Sequence, residues 1–271
     1  MVKKMIRKSM KQYVIKLSLT LLFFSHAATA MAINAYIISS DTVSGNAIVD
    51  ILLNSNINAQ LGVATSDWDG TQVDLNEIDA IVLVSRDENT PIMPLIGQQA
   101  IVDFVENGGG LILGGSTRSR ERMGDYELLS PLFPFNPIGS LSAGGVTFIV
   151  NTPNEILDED IPENGILFFF DSADPLGLDI DIFFTAPGAT EYYTYNTPSI
   201  IPHPAGLVGW QIGEGQVLAF TNRLYPRELE SVSMVTLFRN AVTFASGIVS
   251  EYEEICFPIS ASNNKLAVVC L

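Results

Sequence analysis

The chain has 271 residues, with 30 Asp and Glu against 14 Lys and Arg and a net charge of −16. So acidic a chain is repelled by nucleic acid and by anionic membrane, which excludes both as partners. With 47% hydrophobic residues it can bury a substantial core, as one large domain or two small ones.

Residues 1–32 read as a secretion signal. Lys3, Lys4, Arg7, Lys8, Lys11 and Lys16 precede the apolar run LSLTLLFF, and Ala28-Thr29-Ala30 or Ala30-Met31-Ala32 supplies a small-residue cleavage site. The run is short for a membrane span, so the mature chain is expected to have none and to be secreted or periplasmic after cleavage near Ala30 or Ala32. Cleavage also removes His26 and leaves His203 as the only histidine. A metal site built on two histidines is thereby excluded, and no metal or cofactor is expected.

Residues 33–39, INAYIIS, alternate and are β-branched, which predicts a first strand. Ser44 stands as an N-cap for a helix to about Asn54, with Ile48, Ile51, Leu52 and Ser55 on one face. A short strand is predicted at 61–65, a turn-rich loop at 66–74, and a strand covered on both faces over the unbroken apolar run 80–84. After a loop from Arg86 to Pro94, the stretch IVDFVENGGGLILGG at 101–115 reads as the end of an amphipathic helix, a glycine stop and a buried strand. A unit this tight belongs to a parallel sheet with helices on its faces, where ligands sit beyond the carboxyl ends of the strands.

Residues 116–205 break this rhythm with ten prolines, among which VTFIV, ILFFF and TEYYTY read as short strands. They are expected to form a mainly antiparallel insertion capping one edge or end of the sheet. LVGWQI and QVLAFT, joined by Gly213-Glu214-Gly215, predict a hairpin whose second strand rejoins the core. A helix from about Glu228 to Ala245 follows, with Met234, Val235, Phe238, Ala241, Val242 and Ala245 as its apolar stripe. In the tail, residues 249–271, Cys256 and Cys270 flank a Ser262-Asn263-Asn264 turn, the pattern of a disulfide-stapled hairpin. A sorting or anchoring tag is the minor alternative.

The order of these pieces resembles the class I glutamine amidotransferase-like superfamily, and within it the trehalose-utilisation-type branch. The matching residues are the first strand and helix, LNEIDAIVLVS, IVDFVENGGGLILGG, and GEGQVLAFTNR followed by the helix with Arg239-Asn240-Ala241; together they cover about half of the mature chain. The resemblance implies a flavodoxin-like α/β domain over 33–248, carrying the β-rich insertion. Active members carry a cysteine on a strand-to-helix elbow and a histidine after a late strand. Here Ser116, Thr117 and Arg118 stand at the first place and Thr221, Asn222 and Arg223 at the second. Amidotransferase and thiol chemistry are therefore not expected. A serine hydrolase using Ser116 with His203 as base is the alternative, weakened because Thr117-Arg118 replace the x-Gly that a nucleophile elbow needs.

Arg86, Arg118, Arg120, Arg122, Arg223 and Arg227 fall just after three predicted strands. They suit a pocket for an anionic or polyhydroxyl ligand lined by Arg86, Arg118, Arg223, Ser116, Asn222 and Asp41. The commoner fate of such arginines is to pair with neighbouring acids, here Asp87, Glu88, Glu121, Asp125, Glu228 and Glu230. Asp158-Glu159-Asp160 and Asp171, Asp174, Asp179 and Asp181 read as solvated acidic loops, with calcium bridging as the alternative. The expected function is non-catalytic: recognition of a small anionic or carbohydrate-related ligand, or of an envelope protein. A structural role in an envelope assembly is a further alternative.

Overall fold

The computed structural model describes residues 32–85, 91–115, 117, 124–142, 145–163, 165–169, 179–196, 205–248, 256–261 and 265–270. Its centre is a nine-stranded sheet whose order is β2 (Asn58–Leu61), β1 (Asn34–Ser39), β3 (Ala80–Val84), β4 (Gly110–Leu113), β11 (Gly215–Phe220), β10 (Ala205–Ile212), β9 (Thr190–Asn196), β6 (Gly145–Val150) and β7 (Ile166–Phe169). Strands β1, β2, β3, β4 and β11 pair in parallel. That half has the flavodoxin-like order, with β11 in the fifth place.

Alternation along these strands sends successive side chains to opposite faces. Ile37, Val82, Ile112, Leu218 and Phe220 face α1 (Thr42–Asn54) and α3 (Val232–Ala245), which contribute Ile48, Leu52, Met234, Phe238 and Val242. Ile38, Leu83, Leu111, Leu113 and Ala219 face α2 (Leu95–Glu106), which contributes Ile101, Phe104 and Val105. The predicted helices on both faces are thus present. Each fully buried aliphatic or aromatic side chain contributes roughly 1.5–3 kcal/mol, so the two layers are the main stabilising term.

The other half of the sheet is antiparallel: β10, β9, β6 and β7 continue it beyond β11. The insertion therefore widens the core sheet, while β5 (Phe135–Ser142) and β8 (Asp179–Thr185) form a separate antiparallel pair. Side chains tie the insertion to the core, Gln98 and Trp210 among them. Buried Gln98 on α2 donates to the Asp125 carbonyl at 2.9 Å and accepts from the Leu128 N–H at 3.1 Å, and Trp210 Nε1 donates to the Leu132 carbonyl at 3.0 Å.

Several local expectations are corrected. The cap of α1 is Asp41, whose carboxylate accepts from the N–H groups of Val43 and Ser44, so the helix begins three residues earlier than a Ser44 cap implies. The second strand lies at Asn58–Leu61 and not at 61–65, because it is a sheet-edge strand with alternating exposure and little apolar signal. The helix expected from Glu228 begins at Val232, after a 3-10 turn at Glu228–Glu230 and an extended Ser231. Asp179 and Asp181, read as part of an acidic loop, lie on β8. In the tail, β12 (Cys256–Ala261) and β13 (Lys265–Cys270) form the expected hairpin, with Cys256 opposite Cys270 in register.

The acidic segment around Asp158 is pinned by protein groups. Tyr193 donates its hydroxyl to Asp158 Oδ1 at 2.6 Å, and Asn240 on α3 donates to the carbonyls of Leu157 and Glu159 at 3.1 and 2.7 Å. Burial, then the hydrogen bond and charge of Asp158, push the Tyr193 hydroxyl well above its ordinary pKa.

Candidate functional site

The four central parallel strands end on one side of the sheet and are stitched together there. Ser40 donates its N–H to the Val84 carbonyl, Gly114 to Leu83, and Gly115 to Asn222 at 2.7 Å. Thr117, fully buried, donates its hydroxyl to the Leu83 carbonyl at 3.1 Å. Only glycine fits at 115, since a Cβ there would lie 2.2 Å from the Thr221 carbonyl oxygen. The ends of β4 and β11 are therefore in direct backbone contact, and whatever follows β11 is placed beside the turn after β4.

Asn222 and Arg223 follow β11. Asn222 is 1% exposed; its Nδ2 donates to Glu228 Oε2 at 3.0 Å, and its Oδ1 is buried without a hydrogen-bond partner. Half-buried Arg223 lies with its guanidinium carbon 5.9 Å from the centre of the Tyr225 ring, and its Nε is buried without a partner. It makes no ion pair among the described residues. The only ion pair among them is Arg239 with Asp160 at 3.9 Å.

Glu228, expected as a pairing acid for an arginine, is 2% exposed. Its Oε2 accepts from Asn222 Nδ2 and from the Tyr225 N–H at 3.3 Å, while Oε1 has no partner. Burial pushes its carboxyl up to about 7, against the opposing pull of hydrogen bonds from Asn222, Tyr225 and Leu224 and the charge of Arg223. Leu224, the link between them, is held at φ 57, a left-handed conformation costing roughly 1–2 kcal/mol in a non-glycine residue. Within seven residues the chain thus holds one strained backbone position and three buried polar atoms without partners. Such costs persist where the surroundings enforce them, and they gather at functional sites.

Of the six expected lining residues, Asn222 and Arg223 meet at this corner. Asp41 does not offer a free carboxylate: it caps α1 and also accepts the Ser44 hydroxyl at 2.6 Å. Arg86, Arg118 and Ser116 lie outside the described residues, as does His203. Glu228 was missed as a site residue because nothing in RELE distinguishes a buried acid from its exposed neighbours. The one available signal was its position, five residues after the Thr221-Asn222-Arg223 end. Among the described residues no group of three His, Cys, Asp or Glu could hold a metal ion, and no helix is long and apolar enough to cross a membrane. Chemically, the corner offers one cation, two acceptor oxygens and an acid whose carboxyl burial pushes up to about 7.

No family model matches the chain, and no curated protein matches it. Among solved structures it is similar to the cytoplasmic protein STM1381 of Salmonella typhimurium LT2, with a TM-score of 0.58 and 12% identity over 79% of this chain and 99% of that one. The cytoplasmic protein STM3548 of the same species has a TM-score of 0.56 and 13% identity over 78% of this chain and 98% of that one. A putative GMP synthase protein from Thermoplasma acidophilum has a TM-score of 0.51 and 11% identity over 80% of this chain and 95% of that one. These likenesses support the flavodoxin-like α/β fold. At such identities the likeness extends to the fold alone. The expected secreted or periplasmic address is corrected by the first two neighbours, which are named as cytoplasmic proteins, and export forms no part of the reading below.

Proposed function

We propose that this is a non-catalytic binding domain of the amidotransferase-like fold, nearest to the trehalose-utilisation-type branch, that holds an anionic or carbohydrate-related ligand at the carboxyl ends of the sheet strands. The observation that supports this reading is Arg223: a half-buried guanidinium that makes no ion pair among the described residues, beside a buried Asn222 with an open acceptor. A guanidinium offers a planar fork of donors to carboxylate, phosphate or sulfate, and the adjoining carboxamide oxygen accepts from a hydroxyl. The positions at which amidotransferases carry cysteine and histidine hold no such residue here, which supports binding over thiol chemistry.

The test is thermal-shift screening of the protein against sugar acids, sugar phosphates and inorganic phosphate, repeated on Arg223→Ala. A charge-assisted hydrogen bond contributes about 1.5–3 kcal/mol, so the variant should bind roughly 10- to 100-fold more weakly while keeping its ligand-free melting point. An absence of response to every anion, or an unchanged response in Arg223→Ala, refutes the reading.

A further inference from the structure

We infer that anion binding at the end of β11 takes up a proton, and that Glu228 is the group that receives it. The inference rests on the binding reading above and adds a coupling that the reading does not require.

Among the described residues, Arg223 faces Glu228 from the exit of β11 and is the charge that acts on it. Its own 3-10 turn carries Arg227 and Glu230, both exposed, and the first turn of α3 carries only the uncharged Val232, Ser233, Met234 and Val235. Hydrogen bonds from Asn222, Tyr225 and Leu224 favour the carboxylate, and the charge of Arg223 adds to them. An anion seated on Arg223 cancels that help and brings a second negative charge into the same buried corner. Two like charges there favour protonation of the one that can titrate.

The hydrogen-bond inventory points the same way. Glu228 Oε1 and Asn222 Oδ1 are both buried acceptors without a donor, and an ionised carboxylate adds none. Protonated Glu228 adds an O–H to a corner that holds these two unpaired acceptors and one unpaired donor, Arg223 Nε. Since burial has already brought its carboxyl to about 7, both forms are within reach at neutral pH, and the arrival of a ligand decides between them. Affinity for an anion should therefore be level below pH 7 and fall up to tenfold per pH unit above it.

Sulfate serves as the probe, because its charge is constant across this range. In an unbuffered solution of the full chain at pH 7.5, sodium sulfate should cause uptake of about 0.7 proton per bound ion relative to sodium chloride of equal ionic strength. Sulfate affinity from thermal shifts should weaken about 30-fold between pH 6 and pH 8.5. Glu228→Gln, which keeps the shape and an acceptor, should bind with level affinity and take up no proton. Should that variant fail to fold, the ¹³C shift of the Glu228 carboxyl in the parent protein decides: a titration midpoint raised by sulfate supports the coupling, and an unmoved one overturns it. Sulfate binding without proton uptake, or uptake that persists in Glu228→Gln, overturns this inference and leaves the binding reading standing. No sulfate binding even at pH 6 overturns both.

Discussion

Replacing Glu228 with Gln should change how the stability of this protein depends on pH, independently of any ligand. The carboxyl is raised from its ordinary 4.5 to about 7 by burial, so the folded state holds its proton more tightly than the unfolded state does. A group raised in this direction gives its full stabilisation below about pH 4.5, and that contribution is lost as pH rises through about 7. The difference is about two to three pKa units at 1.36 kcal/mol each, or roughly 3 kcal/mol between pH 4.5 and pH 8. Glutamine cannot ionise, so Glu228→Gln should lack this loss. Whatever it gains or forfeits in hydrogen bonding with Asn222 and Tyr225 is the same at both pH values and cancels from the comparison. Urea unfolding of the two proteins at pH 4.5, 6, 7 and 8 measures it. The stability gap should move by roughly 3 kcal/mol in favour of the variant as pH rises, equivalent to about 6–12 °C in melting temperature for a chain of this size. A gap constant across the range would show that Glu228 stays ionised or is reached by water, and the reasoning about this corner would fail with it.

Gly115→Ala should destabilise by about 1–3 kcal/mol, because the added methyl meets the Thr221 carbonyl at 2.2 Å; a denaturation midpoint equal to that of the parent refutes the close approach of β4 and β11. Asn240→Ala removes the donors to the Leu157 and Glu159 carbonyls, costing about 1–3 kcal/mol. Residues 154–161 should then be cut faster by protease or exchange amide hydrogens faster, and unchanged protection counts against the clamp. The register that sets Cys256 opposite Cys270 predicts a cross-strand disulfide. Iodoacetamide without reductant should leave both cysteines unmodified, and labelling of both in the folded protein refutes it.

The parallel half of the sheet was legible because its strands are covered on both faces and therefore read as unbroken apolar runs. Residues 80–84, AIVLV, are all buried, and α3 shows its stripe because one face packs and the other meets water. The edge strand β2 was not legible: its burial alternates between exposed and half-buried, and NAQL has the composition of a loop. Strands β5 and β8 pair through backbone hydrogen bonds despite Pro137, Asp179 and Asp181, residues whose local preference points to turns. Arg223 was found because its chemistry is visible wherever it sits. Glu228 was not, because its character is made by burial. That burial comes from the turn at Leu224 and the packing of the 3-10 turn under α3, contacts that no local pattern encodes.

The pairing of β4 with β11 also has a consequence for how the chain reaches this state. Leu111 lies beside Val217, so the last parallel pair closes a loop of roughly a hundred residues, a slow event that local structure cannot hasten. During synthesis β3 and β4 are complete long before their neighbour exists, leaving the apolar edge of β4 open until the hairpin of β10 and β11 arrives. Aggregation of the nascent chain, rather than instability of the finished one, is then the hazard this topology carries.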